Sequence, residues 1–181
     1  MKRIGFGQVE PNHLSAQRTA QIYAQLPANA KIKQLENGQF VKYDYANGEV
    51  NFTGAGEWML VFNEVKLYDG WRESYKDFAM LADNYTEGSD IVHGGLGNFK
   101  GQMVPRVFKT NIGDIYTTNC LEKAGAKGVE TTMADVEVGN VLKINADGFL
   151  DKNGTSDIQF QVVKVYTMPD GQAGVKVMRI K

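Results

Sequence analysis

The residues of this sequence that could perform chemistry are few and widely separated. The chain has two histidines, His13 and His93, and one cysteine, Cys120. A zinc site needs three or four Cys, His or carboxylate ligands, and neither histidine has a second ligand at a useful spacing. A lone thiol is a poor nucleophile without a neighbouring base, so Cys120 is expected to be a small apolar residue. His93 with Asp90 is the one local pair worth testing for acid–base catalysis.

Two further patterns resemble ligand sites without matching them. Five oxygen-bearing residues of the kind that calcium prefers lie close together in sequence: Asp147, Asp151, Asp157, Asn145 and Asn153. Their spacing is not that of an EF-hand, so a solvated acidic turn is the better interpretation. Residues 94–97 look like a phosphate-binding loop, but the residues after them break any helix that would bind the anion. The sequence therefore predicts no catalytic, cofactor-binding or metal-binding residues, and a protein that is not an enzyme.

Aromatic residues suggest a second kind of binding, to carbohydrate. Six of them could line a sugar-binding face: Phe40, Tyr43, Tyr45, Phe52, Trp58 and Phe62. Their alternation along predicted strands favours core and cross-strand packing instead. A carbohydrate-binding module would need Trp58, Trp71 and Tyr85 to be exposed together.

The composition is that of an ordinary globular chain without a charged binding face. Of its 181 residues, 43% are hydrophobic and 23% are charged, and the formal net charge is −1 at pH 7. Lysines and arginines are scattered through the predicted strands, so we expect no nucleic-acid partner. No run approaches the roughly 18 apolar residues of a membrane span, and no signal-peptide pattern follows Met1. We therefore expect no membrane partner and folding in a reducing cytoplasm.

Two stretches of the chain resemble each other, and the other elements are arranged around them. We name residues 35–70 the first repeat and residues 136–171 the second repeat. Their alignment, with small gaps, pairs Glu36 with Glu137, Gly38 with Gly139, Lys42 with Lys143, Gly48 with Gly148, Gly54 with Gly154 and Phe62 with Phe160. Duplication of one segment and convergence of two similar β-hairpins both explain the match.

Each repeat has the pattern of consecutive β-strands. In the first repeat Phe40, Lys42 and Asp44 alternate with Val41, Tyr43 and Tyr45. A period of two is the mark of a strand with one buried face. The dipeptides Asn47-Gly48 and Asp147-Gly148 favour type I′ hairpin turns. Longer runs rich in Val, Phe, Tyr and Leu follow each turn, so each repeat is predicted to form a β-meander.

The residues before the first repeat differ from the others, and we assign residues 1–34 to an N-terminal arm and residues 35–181 to a β-rich domain. Residues 12–26 permit a helix capped by Asn12 or Ser15 and stopped before Pro27. The apolar stripe of such a helix is thin. We therefore favour the alternative, an extended arm that runs over a neighbouring subunit.

Three segments outside the repeats add further structure. Residues 103–110 and 113–119 predict a strand pair joined at residues 111–113, and residues 174–180 predict a last strand. Within residues 69–88, Tyr75, Phe78 and Leu81 follow near-helical spacing and permit one short helix, and residues 78–82 fit a strand edge equally well. The predicted fold class is mainly β, barrel-like or meander-rich, and it permits short helices.

Four segments, which together touch most of the chain, carry a resemblance to a known family: GFGQVEPNHLSAQRTAQIYAQLP, GQFVKYDYANGEV, PRVFKTNIGDIYTTN and VGNVLKINADGFLD. On these segments the sequence resembles the auxiliary, or head decoration, proteins of tailed-bacteriophage capsids. The resemblance implies a non-enzymatic, β-rich structural protein of the virion that binds the outer capsid surface between major capsid subunits and stabilises the shell. It implies no catalytic residues and no cofactor.

The resemblance also implies partners and a location. The partners would be the major capsid protein and neighbouring copies of the chain, arranged as a trimer or another symmetric cluster. The protein would lie on the capsid surface after assembly in the host cytoplasm. The alternatives are a carbohydrate- or host-surface-binding module displayed on a particle and another structural component of the head or tail.

Overall fold

The computed structural model describes residues 7, 9–15, 26–32, 34–62, 80–82, 104–121, 136–168, 171 and 173–181. These residues are mainly β with almost no helix, which confirms the predicted fold class. Their strands are β1 (Val9–His13), β2 (Gln34–Glu36), β3 (Phe40–Asp44), β4 (Glu49–Asn51), β5 (Trp58–Val61), β6 (Met80–Ala82), β7 (Val107–Phe108), β8 (Ile115–Thr118), β9 (Val141–Ile144), β10 (Leu150–Asp151), β11 (Gln159–Thr167) and β12 (Ala173–Arg179).

The described strands form three antiparallel sheets. The largest has the order β1-β8-β12-β11-β9-β10, a second has the order β4-β3-β5-β7, and β2 pairs with β6. The first repeat therefore supplies three strands of the four-stranded sheet, and the second repeat supplies three strands of the six-stranded sheet. Each repeat needs strands from elsewhere in the chain to complete its sheet.

The four-stranded sheet is buried on both faces at the end where Phe40 and Leu60 lie, whereas the alternation in its sequence predicts one buried face. Phe40 and Leu60 pack into the core of the six-stranded sheet, where the Phe40 ring centroid lies 5.5 Å from that of Phe160. On the opposite face, Val41 and Tyr43 pack in a separate apolar cluster. Both faces are shielded at this end because it lies between two sets of apolar side chains, whereas Lys42 and Asp44, farther along β3, are half-buried.

The strand order within each repeat differs from that of the predicted meander. In a meander the third strand would pair with the second, but β5 pairs with β3, and β11 pairs with β9. In each repeat the connection to the third strand passes close to the backbone of the first strand, β3 or β9, and a glycine lies at the point of closest approach. A Cβ atom on Gly54 would lie 2.6 Å from the carbonyl oxygen of Tyr43, and one on Gly154 would meet that of Lys143 as closely. Only glycine permits this approach.

A nearly constant register relates the two repeats. Lys42 pairs with Trp58 in the first repeat, and the residues 101 positions later in the chain, Lys143 and Gln159, pair in the second. The turns before β3 and β9 also match, because Gly38 and Gly139 have φ values of 94° and 90°. In this register Phe160 corresponds to Met59, whereas the sequence alignment of the repeats pairs Phe160 with Phe62. Both hairpin turns predicted from Asn47-Gly48 and Asp147-Gly148 are present, with positive φ at each glycine.

Part of the predicted N-terminal arm belongs to a sheet of its own chain. Residues 9–13 form β1, which pairs with β8 from Val9 opposite Thr118 to His13 opposite Ile115. Leu14 is buried in the main core. Residues 9–14 therefore do not run over a neighbouring subunit, and a helix beginning at Asn12 is excluded because Asn12 lies within β1. Residues 16–25, the remainder of the predicted helix, lie outside the described residues.

The strand pair predicted over residues 103–119 is not formed. β7 pairs with β5 in the four-stranded sheet, whereas β8 pairs with β1 and β12 in the six-stranded sheet. The turn at residues 111–114 directs the chain from one sheet to the other, because the N–H of Gly113 donates to the carbonyl of Arg179 on β12. The last strand is confirmed as β12, with Val175 and Val177 fully buried. The strand alternative is confirmed for residues 80–82.

Candidate interaction surface

The hairpin turn of the second repeat is docked against the first repeat. The N–H of Phe40 donates to the carbonyl oxygen of Gly148 at 2.7 Å, and the Gln39 amide donates from Nε2 to the carbonyl oxygen of Asp147 at 2.7 Å. Gly148 has a positive φ, and a Cβ atom there would overlap the Phe40 carbonyl and contact Phe52. This turn is therefore held by two hydrogen bonds and by a close approach that only glycine allows.

The equivalent turn of the first repeat, residues 45–48, has no such contact with the part of the chain that the structure describes. Gly48 has the same sign of φ as Gly148, but no atom of the described residues lies within 4 Å of the position of its Cβ. The Tyr45 side chain is 68% exposed and stacks on Tyr43 with ring centroids 5.3 Å apart. The turn is nevertheless ordered, because Asp44 accepts hydrogen bonds from the backbone N–H and the side-chain amide of Asn47.

The hydrogen bonds from Asn47 to Asp44 also lower the pKa of the Asp44 carboxyl, mainly through the side-chain amide. The ionised form is therefore the one that organises the turn near neutral pH. A turn that is ordered before binding loses little conformational entropy when a partner arrives.

The segment of the second repeat that corresponds to Gln39 and Phe40 is also open. Asn140 and Val141 lie 101 residues beyond them, and the Val141 side chain is 38% exposed whereas that of Phe40 is fully buried. Val138, in the turn before β9, is 64% exposed, and Val163 on the paired strand β11 is exposed too. Exposed apolar side chains grouped in this way are typical of contact surfaces.

A cluster of polar groups holds the end of β1 to the start of β8. Asp114 is buried and accepts hydrogen bonds from the N–H of Ser15 at 2.9 Å, from the Ser15 hydroxyl, and from the N–H of Asn111 at 2.8 Å. Ile112, in the turn next to this cluster, is 71% exposed. The cluster thus presents an apolar side chain to solvent from a rigid turn.

Further polar groups connect strands that are distant in sequence. The Tyr166 hydroxyl donates to Thr117 Oγ1 at 2.7 Å and lies 3.2 Å from a carboxylate oxygen of Glu10, joining β11, β8 and β1. Burial is the main cause that raises the pKa of Tyr166. Arg179 on β12 bonds to Thr110 and to Glu57, which lies just before β5, and so connects the two larger sheets. These polar groups hold strands together.

The residues considered for catalysis are separated or fall outside the described part of the chain. His13 is exposed at the end of β1, and Cys120 is buried against Phe149. His93 and Asp90 lie outside the described residues, so the pair is not placed. The described residues contain no group of three or more His, Cys, Asp or Glu side chains placed to hold a metal ion.

The residues considered for calcium are used in local turns. Asn145 accepts hydrogen bonds from the N–H groups of Asp147 and Phe149 through Oδ1. Asp151 accepts one from the N–H of Asn153. Asp157 is exposed. The oxygens that would bind a cation are therefore hydrogen-bonded within the turns or point to solvent.

The six aromatic residues considered for carbohydrate do not form one platform. Phe40 and Tyr43 are buried in different clusters, and Trp58 is half-buried beneath the Lys42 ammonium at 4.9 Å. Tyr45 is the one that is exposed. Trp71 and Tyr85 lie outside the described residues, so exposure together with Trp58 is not tested.

Sequence reasoning missed that the turn at residues 45–48 and the segment at residues 140–141 are both left uncovered by described residues. The alignment of the repeats shows that each contains both features, but it does not show that only one turn is docked. One local signal could have indicated the difference, because Phe52, which covers Gly148, is aligned with the exposed Lys152. An apolar side chain, Phe52, therefore covers the docked turn on the first repeat, and a lysine stands at the corresponding position of the second repeat.

The described residues include no helix long and apolar enough to cross a membrane. No protein-family model matches the chain, no curated protein is significantly similar to it, and no solved structure matches its fold significantly.

Proposed function

We propose that this chain is a non-enzymatic structural protein of a bacteriophage virion, which binds the outer capsid surface between major capsid subunits and stabilises the shell. The observation that carries the proposal concerns the three most exposed large hydrophobic side chains of the described residues: Ile112, Tyr45 and Val138. Each lies in a hydrogen-bonded turn. Around Ile112 the N–H of Asp114 donates to the carbonyl of Asn111, and around Val138 the N–H of Asn140 donates to the carbonyl of Glu137. Around Tyr45 the N–H of Asn47 donates to the carboxylate of Asp44. Rigid turns that present apolar side chains suit a protein whose role is contact.

The resemblance described above supports the same proposal. Its four segments contribute β1, the β3–β4 hairpin, β7 with β8, and the β9–β10 hairpin. Three of these four contribute strands to the six-stranded sheet, and the second hairpin turn joins that sheet to the β3–β4 hairpin. The described residues of these segments therefore pack together, rather than forming separate fragments.

The experiment is addition of the purified protein to heads from the phage that encodes it, prepared without the protein. We expect co-sedimentation with the heads, ordered density between major capsid subunits by cryo-electron microscopy, and a higher temperature of shell disruption. Heads that bind none of the protein, or whose stability does not change when it is bound, would refute the proposal.

A variant pair sharpens this experiment. Ile112→Asp places a charge on the most exposed apolar turn residue, and Thr155→Ala changes another exposed residue. If the Ile112 turn contacts the capsid, Ile112→Asp weakens binding to heads by at least about tenfold because a charge is buried without a partner. Thr155→Ala is expected to bind as the unmodified chain does.

A further inference from the structure

The contact between the two repeats offers a template for a contact between molecules. Each repeat carries a hairpin turn and, before its first strand, a short segment on which such a turn can dock. Inside the molecule, the turn of the second repeat docks on Gln39 and Phe40 of the first. The turn of the first repeat (residues 45–48), which we name the open turn, and the segment Asn140–Val141 of the second, which we name the open segment, have no equivalent contact among the described residues.

The backbone of the open segment presents the same donor as the occupied one. Val162 donates to the Asn140 carbonyl in the second repeat, as Val61 donates to the Gln39 carbonyl in the first. Hydrogen-bonding positions alternate along an antiparallel ladder, so the N–H of Val141 points away from β11, as that of Phe40 points away from β5. The Phe40 N–H reaches Gly148, whereas the Val141 N–H has no acceptor among the described residues.

The side chain of Asn140 is held by the same kind of hydrogen bond as that of Gln39. Gln39 Oε1 accepts from the N–H of Glu36 at 3.1 Å, and Asn140 Oδ1 accepts from the N–H of Glu137 at 3.1 Å. This bond orients the amide so that its nitrogen faces outward. In Gln39 that nitrogen donates to the docked turn, so Asn140 Nδ2 can donate in the same direction from a side chain one methylene shorter.

The open turn presents the matching acceptors. Asn47 and Gly48 correspond to Asp147 and Gly148, whose carbonyl oxygens accept the two internal hydrogen bonds. The open space around Gly48 allows the same close approach of a backbone that occurs at Gly148. The turn is held in shape by the bonds from Asn47 to Asp44.

The side chains around the two open sites are complementary. Tyr45 exposes its ring beside the open turn, and Val138, Val141 and Val163 expose apolar atoms around the open segment. The open turn is flanked by the acidic residues Asp44 and Glu49. The open segment is preceded by the exposed Glu137 and followed by the basic residues Lys143 and Lys152. Lys152 stands where Phe52 covers the internal contact, so a charged side chain replaces the apolar cover there.

We propose that the open turn of one molecule docks on the open segment of a second molecule, with the N–H of Val141 and the side chain of Asn140 donating to the carbonyls of Gly48 and Asn47. The partner is a second copy of this chain because each molecule carries both halves of the contact. Such an interface is heterologous, and it forms a ring when the rotation between molecules closes. This interface adds an assembly mode to the proposed function. The placement of the ring on a capsid rests on that proposed function.

The first test is self-association of the full chain in solution, by sedimentation velocity at concentrations up to about 1 mM, the weak end of specific association. We expect discrete oligomers. Val141→Lys is expected to raise the dissociation constant at least about tenfold, because it buries a charge without a partner. Val104→Lys, the matched control, adds the same charge at an apolar residue outside both open sites that is 43% exposed, against 38% for Val141, and is expected to leave association unchanged. A monomer throughout the range, or equal effects of both variants, overturns the proposal.

The second test identifies the residues in contact. A photo-reactive phenylalanine derivative replaces Tyr45, which keeps an aromatic ring on the open turn without altering the bonds of Asp44. Irradiation followed by mass spectrometry is expected to join this position to the peptide that contains residues 138–141 of another molecule. The same derivative at Ile112 is expected to give no such product. Cross-links from position 45 to a different peptide, or none in the oligomer, overturn the proposal.

The two proposals fail separately. Binding to heads is measured by co-sedimentation, whereas the docking of molecules on each other is measured without heads. A chain that associates through the open turn but binds no heads refutes the proposed function alone. A monomer that binds heads refutes the interface alone.

Discussion

Replacement of Gly148 by alanine is expected to destabilise the chain much more than replacement of Gly48. Both glycines have positive φ, 82° and 65°, and a left-handed conformation costs alanine about 1–2 kcal/mol at either position. Only at Gly148 would the new Cβ atom overlap the carbonyl of Phe40. Relief of that overlap moves the turn away from the two hydrogen bonds that hold it.

The additional cost at Gly148 can be estimated from the groups left behind. The N–H of Phe40 would lose its acceptor in the core, and an unsatisfied buried donor costs about 1–3 kcal/mol. We therefore expect the free energy of unfolding to fall by about 2–5 kcal/mol in Gly148→Ala and by about 1–2 kcal/mol in Gly48→Ala.

The assay is urea unfolding followed by far-UV circular dichroism at low protein concentration, so that association does not contribute. Gly48→Ala serves as the control for the cost of the backbone conformation. Equal losses of stability in the two variants would refute the reasoning, because they would show that docking of the second-repeat turn contributes nothing beyond its φ angle.

Two further substitutions and one deletion test the packing of the six-stranded sheet. Tyr116→Phe is expected to raise the free energy of unfolding by about 1 kcal/mol, because the buried hydroxyl has no hydrogen-bond partner among the described residues. Burial also raises the pKa of Tyr116 well above 10.0, so above that pH the unfolded state loses the proton first and stability falls as the pH rises. The difference between the urea midpoints measured at about pH 9 and about pH 11 should be smaller in Tyr116→Phe than in the unmodified chain. Asp114→Asn is expected to cost about 2–3 kcal/mol in urea unfolding, because the new amide cannot accept from both Ser15 and Asn111; an unchanged midpoint would contradict this. Deletion of residues 1–15 removes β1 and bares the edge of β8, so the truncated chain should bind a hydrophobic dye and aggregate; a truncated chain as stable as the full one would show that β1 is dispensable.

The local elements were predictable because their causes are local. Alternation from Phe40 to Tyr45 marks a strand, and Asn47-Gly48 and Asp147-Gly148 mark hairpin turns, since each pattern expresses backbone preferences of a few neighbouring residues. The similarity of the repeats was visible for the same reason. The sequence also showed how few of its residues have chemically reactive types.

The partners of the strands were not predictable from such patterns. β5 passes β4 to pair with β3, and β8 leaves β7 to pair with β1 and β12, because which edge a strand joins depends on edges supplied from distant parts of the chain. Alternation predicted one buried face for β3, but Phe40 on its other face lies between the sheets. Residues 9–13 lack a strong strand pattern and become a strand because β8 offers an unpaired edge.

The sequence by itself determined that the chain is β-rich, where its hairpin turns lie and that two of its segments are alike, since these depend on side-chain types and short spacings. Only the tertiary structure decided that the two like segments are used differently. One turn is covered by Phe52 and bonded to Phe40, and the other lies open beside Tyr45. The physical reason is that folding brings one turn against one docking segment, whereas the other turn and segment make no such contact among the described residues.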